Sequence, residues 1–132
     1  MKSLLNKEIL ITGTVAFDDI ETPTGYSGKI IGGAGTYIAL AASIFSKKIS
    51  LVSVIGDDFL EEDIKMLQSK NINTDMIERI AGEKSFYWKG KYHSNFKTRD
   101  TLITELNALE KFKPIVNQSS KKAEIIVLGN LH

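Results

Sequence analysis

Three segments of the chain are apolar at nearly every position: Glu8–Thr12 (EILIT), Ile49–Ile55 (ISLVSVI) and Glu124–Leu128 (EIIVL). Runs without polar alternation suit parallel strands covered on both faces. Between the first two, Thr36–Phe45 (TYIALAASIF) predicts a helix whose Ala39, Ala41, Ala42 and Ser43 allow close approach to a sheet. Leu60, Ile64 and Leu67 recur at i, i+4 and i+7 and predict a second helix over Asp57–Lys70. Asp57 or Asp58 is expected to cap it, Glu61 and Glu62 to suit its positive end, and Asn71 to close it. Alternation of strand and helix gives an α/β class with a parallel sheet.

Two stretches break this rhythm. Ile20–Ile31 carries Pro23, Gly25 and Gly28, which punctuate a chain rather than build a buried strand. Ser85–Phe96 (SFYWKGKYHSNF) alternates with period two, Phe86, Trp88 and Tyr92 on one face and Tyr87, Lys89 and Lys91 on the other. It predicts a one-sided antiparallel strand. Arg99–Leu106 is either its partner or irregular. The aromatic face either covers the main sheet or belongs to an exposed flap that meets a ligand or a second chain. Asn107–Lys122, broken by Pro114, reads as a short helix or loop. The chain stops at Gly129–His132, just after a strand, which is the pattern of the first part of a larger α/β domain.

Composition narrows the chemistry. The 132 residues are 42% hydrophobic, enough for one core. Seventeen basic residues against 16 acidic ones give no global pull toward nucleic acid or anionic membrane. Without cysteine there are no disulfides or thiolate sites, and His93 and His132 stand apart without a carboxylate cluster, so no metal site is expected. No apolar run has the ~20 residues of a membrane span, and the interrupted start MKSLLNKEILITG lacks the core of a signal peptide. A cytoplasmic setting is expected.

The strongest chemical signal is Ile31–Ala42 (IGGAGTYIALAA), where Gly32, Gly33 and Gly35 precede the small-residue helix. Such a start offers close backbone approach and free N–H groups for a polyhydroxylated or anionic molecule. The competing reading is a tight turn with close helix–sheet packing. A dinucleotide fingerprint fails because Ile38 stands where its third glycine belongs, and a Walker A loop fails at Pro23 and Ile30. No G-x-S-x-G elbow or H-E-x-x-H helix occurs.

Gly13-Thr14-Val15-Ala16-Phe17-Asp18, then IGGAGTYIALAA, then LVSVIGDDF resemble the amino-terminal half of ribokinase-like (PfkB) carbohydrate kinases. KGKYHSNFKTRDTLITELN and VLGNLH continue the resemblance across residues 1–132, toward a subgroup of sugar kinases. The resemblance implies a Rossmann-type parallel sheet with helices on both faces, incomplete here, and a small β lid from segments 20–31 and 85–106. It implies that Asp18 accepts hydrogen bonds from sugar hydroxyls and that Gly32, Gly33 and Gly35 cradle the sugar. Tyr37 either stacks on a sugar or base or packs in the core. Asn130, just past the last strand, is either a ligand contact or a polar strand end. Asp19 is expected to face solvent, and Gly56-Asp57-Asp58 to turn the chain without a catalytic role. Ribose-specific members carry polar contacts where Ala16, Ala34 and Tyr37 stand, so the acceptor is left open between sugars and nucleosides.

The family's catalytic D-T-x-G-A-G-D-like segment is absent from these 132 residues, so no catalytic residue is assigned. ATP and Mg2+ belong to the parent reaction and are not expected on this chain alone, which is expected to be inactive by itself. A homodimer through the lid is implied. Two other classes remain: a non-catalytic sugar- or nucleoside-binding or self-associating module, and a Rossmann-type cofactor domain of an oxidoreductase.

Overall fold

The computed structural model describes residues 6–132. In chain order its elements are β1 (Glu8–Thr12), β2 (Ala16–Thr22), β3 (Gly25–Gly32), α1 (Ala34–Ala42), β4 (Lys48–Ile55), α2 (Glu61–Ser69), β5 (Ile72–Asn73), β6 (Ile77–Arg79), β7 (Phe86–Tyr92), β8 (Arg99–Glu105) and β9 (Ile125–Leu128). The start of the chain up to Leu5, where a signal peptide was sought, lies outside the described residues.

The three apolar runs pair in parallel as the centre of one sheet, in the order β5–β4–β1–β9, with β6 also alongside β4. Ile9 lies beside Ile49, Ile11 beside Leu51, and Ile49 beside Ile72. Ala39 of α1, Leu67 of α2 and Phe59 complete this core and are all buried. Each such large aliphatic side chain contributes roughly 1.5–3 kcal/mol by leaving water.

Chain direction explains the layering. The path β1→β4→β5 steps one way across the sheet. Right-handed crossovers therefore carry α1 and α2 to the same face, that of Ile9 and Ile11. The return to β9 steps the other way and passes over the opposite face, where Leu10, Val52 and Val54 are buried. On that face the cover among the described residues is short and 3₁₀-helical rather than α-helical. The 3₁₀ turns Asn107–Lys111 and Ser120–Lys122 flank Pro114, with Ala108 buried and Ser120 Oγ 3.5 Å from Ser50 Oγ. Beyond β9 no further strand pairs among the described residues, and Ile126 and Leu128 are exposed. No helix among the described residues is long and apolar enough to cross a membrane.

The two rhythm-breaking stretches form a second sheet, ordered β3–β2–β7–β8. It begins at Ala16, earlier than expected, because β2 and β3 fold into a hairpin across Pro23–Thr24. The antiparallel expectation for Ser85–Phe96 holds only on one side: β7 runs antiparallel to β8 but parallel to β2. Arg99–Glu105 is thus the partner strand rather than irregular chain.

Gly56-Asp57-Asp58 does turn the chain, but neither aspartate caps α2, whose N-cap position is Leu60. Asp57 Oδ2 instead accepts from the Gly82 amide at 2.7 Å. Asp58 Oδ1 accepts from the Ser85 amide at 2.7 Å, and its Oδ2 meets Lys29 Nζ at 3.2 Å. Ser85 Oγ in turn accepts from the Gly56 amide. Burial pushes the Asp58 carboxyl up, but the Ser85 donors and Lys29 outweigh it and hold it below its ordinary value. This depressed pKa stabilises the fold above the unfolded value, a contribution lost as pH falls through the folded value. Asp58→Ala strands a partly buried amide and loosens the lid from the main sheet. Urea denaturation at neutral pH should show a loss of about 2 kcal/mol, and less for Asp58→Asn. The closing residue behaves as expected: Asn71 takes φ 60° directly after α2.

Candidate functional site

Ligands of open α/β sheets bind beyond the strand carboxyl ends where the strand order reverses. Here that point lies between β1 and β9. The Thr14 amide donates to Asn130 O at 3.1 Å and the Gly129 amide to Thr12 O at 2.7 Å, closing the crevice floor. The start of α1 sits against this floor, and glycine makes the contact possible. A Cβ on Gly35 would lie 2.7 Å from Gly13 O, and one on Gly13 would lie 2.7 Å from Gly35 N.

The helix start is not free. Ala34 N–H donates to Thr14 Oγ1 at 2.9 Å, while Gly35 and Thr36 N–H donate to Thr14 O at 2.8 and 3.3 Å. The open amides expected from the sequence are thus committed to Thr14, because the chain leaving β1 turns back beneath the helix. The glycines divide their work accordingly. Gly35 serves backbone packing. Gly32 leaves room for the Asp18 carboxylate, which any Cβ there would overlap. Gly33, at φ 96°, turns its amide toward that carboxylate.

Asp18 lies on β2 between Ile30 of β3 and Trp88 of β7. It is half-buried, and no side chain donates to it among the described residues. Burial pushes its carboxyl above the ordinary aspartate value, and the Gly33 amide pulls partly back. Asp18 faces an open concavity of about 610 Å³ shared by the lid and the switch point. Gly33, Tyr37 and Asn130 line the same concavity, whereas Gly32 and Gly35 do not. Tyr37 is 55% exposed, so it is a wall of this space rather than core. Asn130 Oδ1 accepts from the His132 amide at 3.1 Å.

Asp19 does not face solvent. It is 6% exposed on the other side of β2, and its Oδ2 accepts from Tyr26 Oη at 2.6 Å and Tyr87 Oη at 3.0 Å. Alternation along β2 forces this: if Asp18 faces the concavity, Asp19 faces away.

Phe86, Trp88 and Tyr92, the aromatic face legible in the sequence, form the lid wall of the concavity. Trp88 lies along the sheet: its ring occupies the space a Cβ on Gly90 would need, and Nε1 donates to Thr101 Oγ1 at 3.2 Å. Arg99 stacks over it, its guanidinium carbon 5.5 Å from the Trp88 ring centroid and 6.0 Å from that of Tyr92. Arg99 escaped sequence reasoning, because only the β7–β8 register brings it to this wall.

No family model and no curated protein matches the sequence. Solved structures do. The ribokinase of Giardia lamblia superposes with a TM-score of 0.73 at 16% identity over 93% of this chain. The ribokinase of Cryptococcus neoformans in complex with ADP gives 0.69 at 18% over 96%. The fold is ribokinase-like. The nucleoside kinase of Methanocaldococcus jannaschii, an archaeal member of the ribokinase family, gives 0.68 at 18% over 94%. This chain spans 41% of the Giardia and Cryptococcus chains and 45% of the Methanocaldococcus one. What the ribokinase-like fold adds is a frame: the concavity lies between the main sheet and the smaller lid sheet.

The site holds no group of three His, Asp or Glu side chains suited to a metal among the described residues. The α1 amides, occupied by Thr14, do not fit a nucleotide phosphate either. What the concavity offers is one acceptor carboxylate, braced by the Gly33 amide, and aromatic walls.

Proposed function

We propose that this chain forms the sugar- or nucleoside-binding part of a ribokinase-type kinase, whose reaction transfers a phosphoryl group from ATP to a ligand hydroxyl. The observation that carries the reading is Asp18: a half-buried carboxylate without a side-chain donor, fixed beneath Gly32 at the mouth of the switch point. A carboxylate so held accepts charge-assisted hydrogen bonds from two neighbouring hydroxyls, each about twice as strong as a neutral one. Phe86, Trp88 and Tyr37 cover the apolar faces of a sugar ring or a base and keep water from these bonds. Likeness to both ribokinases and a nucleoside kinase supports a ligand of this size and polarity.

Phosphoryl transfer needs nucleotide, metal and acceptor positioned together. This chain's own residues fit only the acceptor, so no transfer step is derived from them, and the chain alone is expected to bind without turnover. The decisive measurement is titration of the purified chain with ribose, glucose and inosine, followed by the fluorescence of Trp88, its single tryptophan. Saturable binding with no ATP consumption is expected. Failure of every sugar and nucleoside to bind removes the proposal.

A Rossmann-type cofactor domain is the weaker reading, since the helix start on which a dinucleotide pyrophosphate would rest is already occupied by Thr14. Self-association remains compatible with ligand binding. Among the described residues β8 leaves the outer edge of the second sheet unpaired, with Leu102 and Ile103 exposed, and such an edge invites pairing with a second copy.

A further inference from the structure

Asp18, Trp88 and Arg99 lie on adjacent strands β2, β7 and β8, on the concave side of the lid. Asp18 is paired with Trp88 and Arg99 with Tyr92, four residues further along β7, and the Arg99 guanidinium reaches back over the Trp88 ring. The two arginines of the sequence are used differently. Arg79 donates to Gly56 O, Phe59 O and Glu61, so its fork is spent on structure. Arg99 forms no ion pair among the described residues and is positioned by ring faces alone. Stacking leaves the N–H edge of a guanidinium available, and that edge matches a carboxylate or phosphate in two-pronged fashion. Arg99 is also the one lysine or arginine among the residues lining the concavity. Its platform is built: Gly90 makes room for the indole, Thr101 ties Nε1, and Tyr92 flanks the guanidinium.

We propose that Arg99, braced on Trp88 and Tyr92, selects ligands that carry an anionic group, a carboxylate or a phosphate, in addition to the hydroxyls that Asp18 receives. This rests on the reading of Asp18 as the hydroxyl-binding carboxylate and adds the substrate's charge. The concavity thus recognises a ligand by its two ends, with the aromatic wall between them.

The test uses the whole chain and matched ligand pairs: glucose against glucose 6-phosphate, glucose against gluconate, and ribose against ribose 5-phosphate. Binding is followed by Trp88 fluorescence and by calorimetry at low salt. At least one anionic ligand should bind about tenfold or more tightly than its neutral parent, as a charged hydrogen-bonded pair allows. The phosphate and gluconate arms tell which anion fits. Arg99→Gln should abolish that preference, and Arg99→Lys, a point charge without the fork, should retain part of it. Arg99 is exposed, so neither variant threatens folding, and thermal unfolding checks this. Equal affinity within every pair, or a preference that survives Arg99→Gln, overturns the proposal and leaves the Asp18 reading standing. Absence of binding by neutral and anionic ligands alike overturns both.

Discussion

Asp18→Asn should weaken sugar or nucleoside binding about 100-fold or more while leaving the fold intact or slightly firmer. The two effects have opposite signs for one physical reason. The carboxylate is half-buried, and burial disfavours its charged form, which raises its pKa. A raised carboxylate pKa means that ionisation costs stability above the folded value, a cost absent below the unfolded one. The asparagine fits the same space beneath Gly32 and removes that cost, so the melting temperature at neutral pH should hold or rise. Ligand hydroxyls, in contrast, lose two charge-assisted bonds, and each is worth roughly 1.5–3 kcal/mol. The wild-type protein should also lose affinity on acidification, at a pH above that of an ordinary aspartate. Titration of affinity against pH checks this: a profile unchanged in Asp18→Asn would show that another group controls it. A side chain whose removal harms binding but not stability serves the ligand; equal harm to both would mark Asp18 as structural.

A large loss of stability is expected at Gly35. Alanine there is the better helix former by about 1 kcal/mol, and Gly35 lies inside α1. Propensity alone therefore predicts a gain. The added Cβ, however, would stand 2.7 Å from Gly13 O and 3.0 Å from Thr14 O, both backbone atoms on the floor of the crevice. Neither can swing away as a side-chain tip would, and moving them breaks the Thr14 bonds that hold the helix start. Overpacking of this kind costs about 3 kcal/mol or more, so the clash prevails. The net loss of roughly 2 kcal/mol should lower the melting temperature by several degrees. Gly25→Ala is the matched control: nothing lies within 4 Å of its added Cβ, and it should be neutral to within about 0.5 kcal/mol. If the two variants melted alike, the close contact between α1 and β1 would be wrong.

Legibility in the sequence followed the range of the interactions. The apolar runs Glu8–Thr12, Ile49–Ile55 and Glu124–Leu128 and the helical period of Leu60, Ile64 and Leu67 are local patterns, and their elements appear within a few residues of the expected bounds. Segments 20–31 and 85–106 were recognisable as departures from the main sheet and lie in the second, four-stranded sheet. The N-cap of α2 was misplaced because Asp57 and Asp58 satisfy amides of Gly82 and Ser85, more than 20 residues away, and not those of α2. The glycine-rich start of α1 looked open for the same reason: its partner is Thr14, 20 residues earlier.

Residue type and spacing along the chain were enough to specify the α/β class, the parallel core and the aromatic face of β7, since each depends on neighbours close in sequence, whereas Asp18 was singled out only by the family resemblance. Which atoms remain available to a ligand was decided by tertiary structure alone. The β2–β7 register sets Asp18 beside Trp88 and the β7–β8 register sets Arg99 beside Tyr92, the alternation of β2 sends Asp19 to the two tyrosines, and the turn after β1 fills the α1 amides with Thr14. A hydrogen bond formed between strands far apart in sequence leaves no periodic trace in either one, so only the assembled sheet shows which donors and acceptors are spent and which are free.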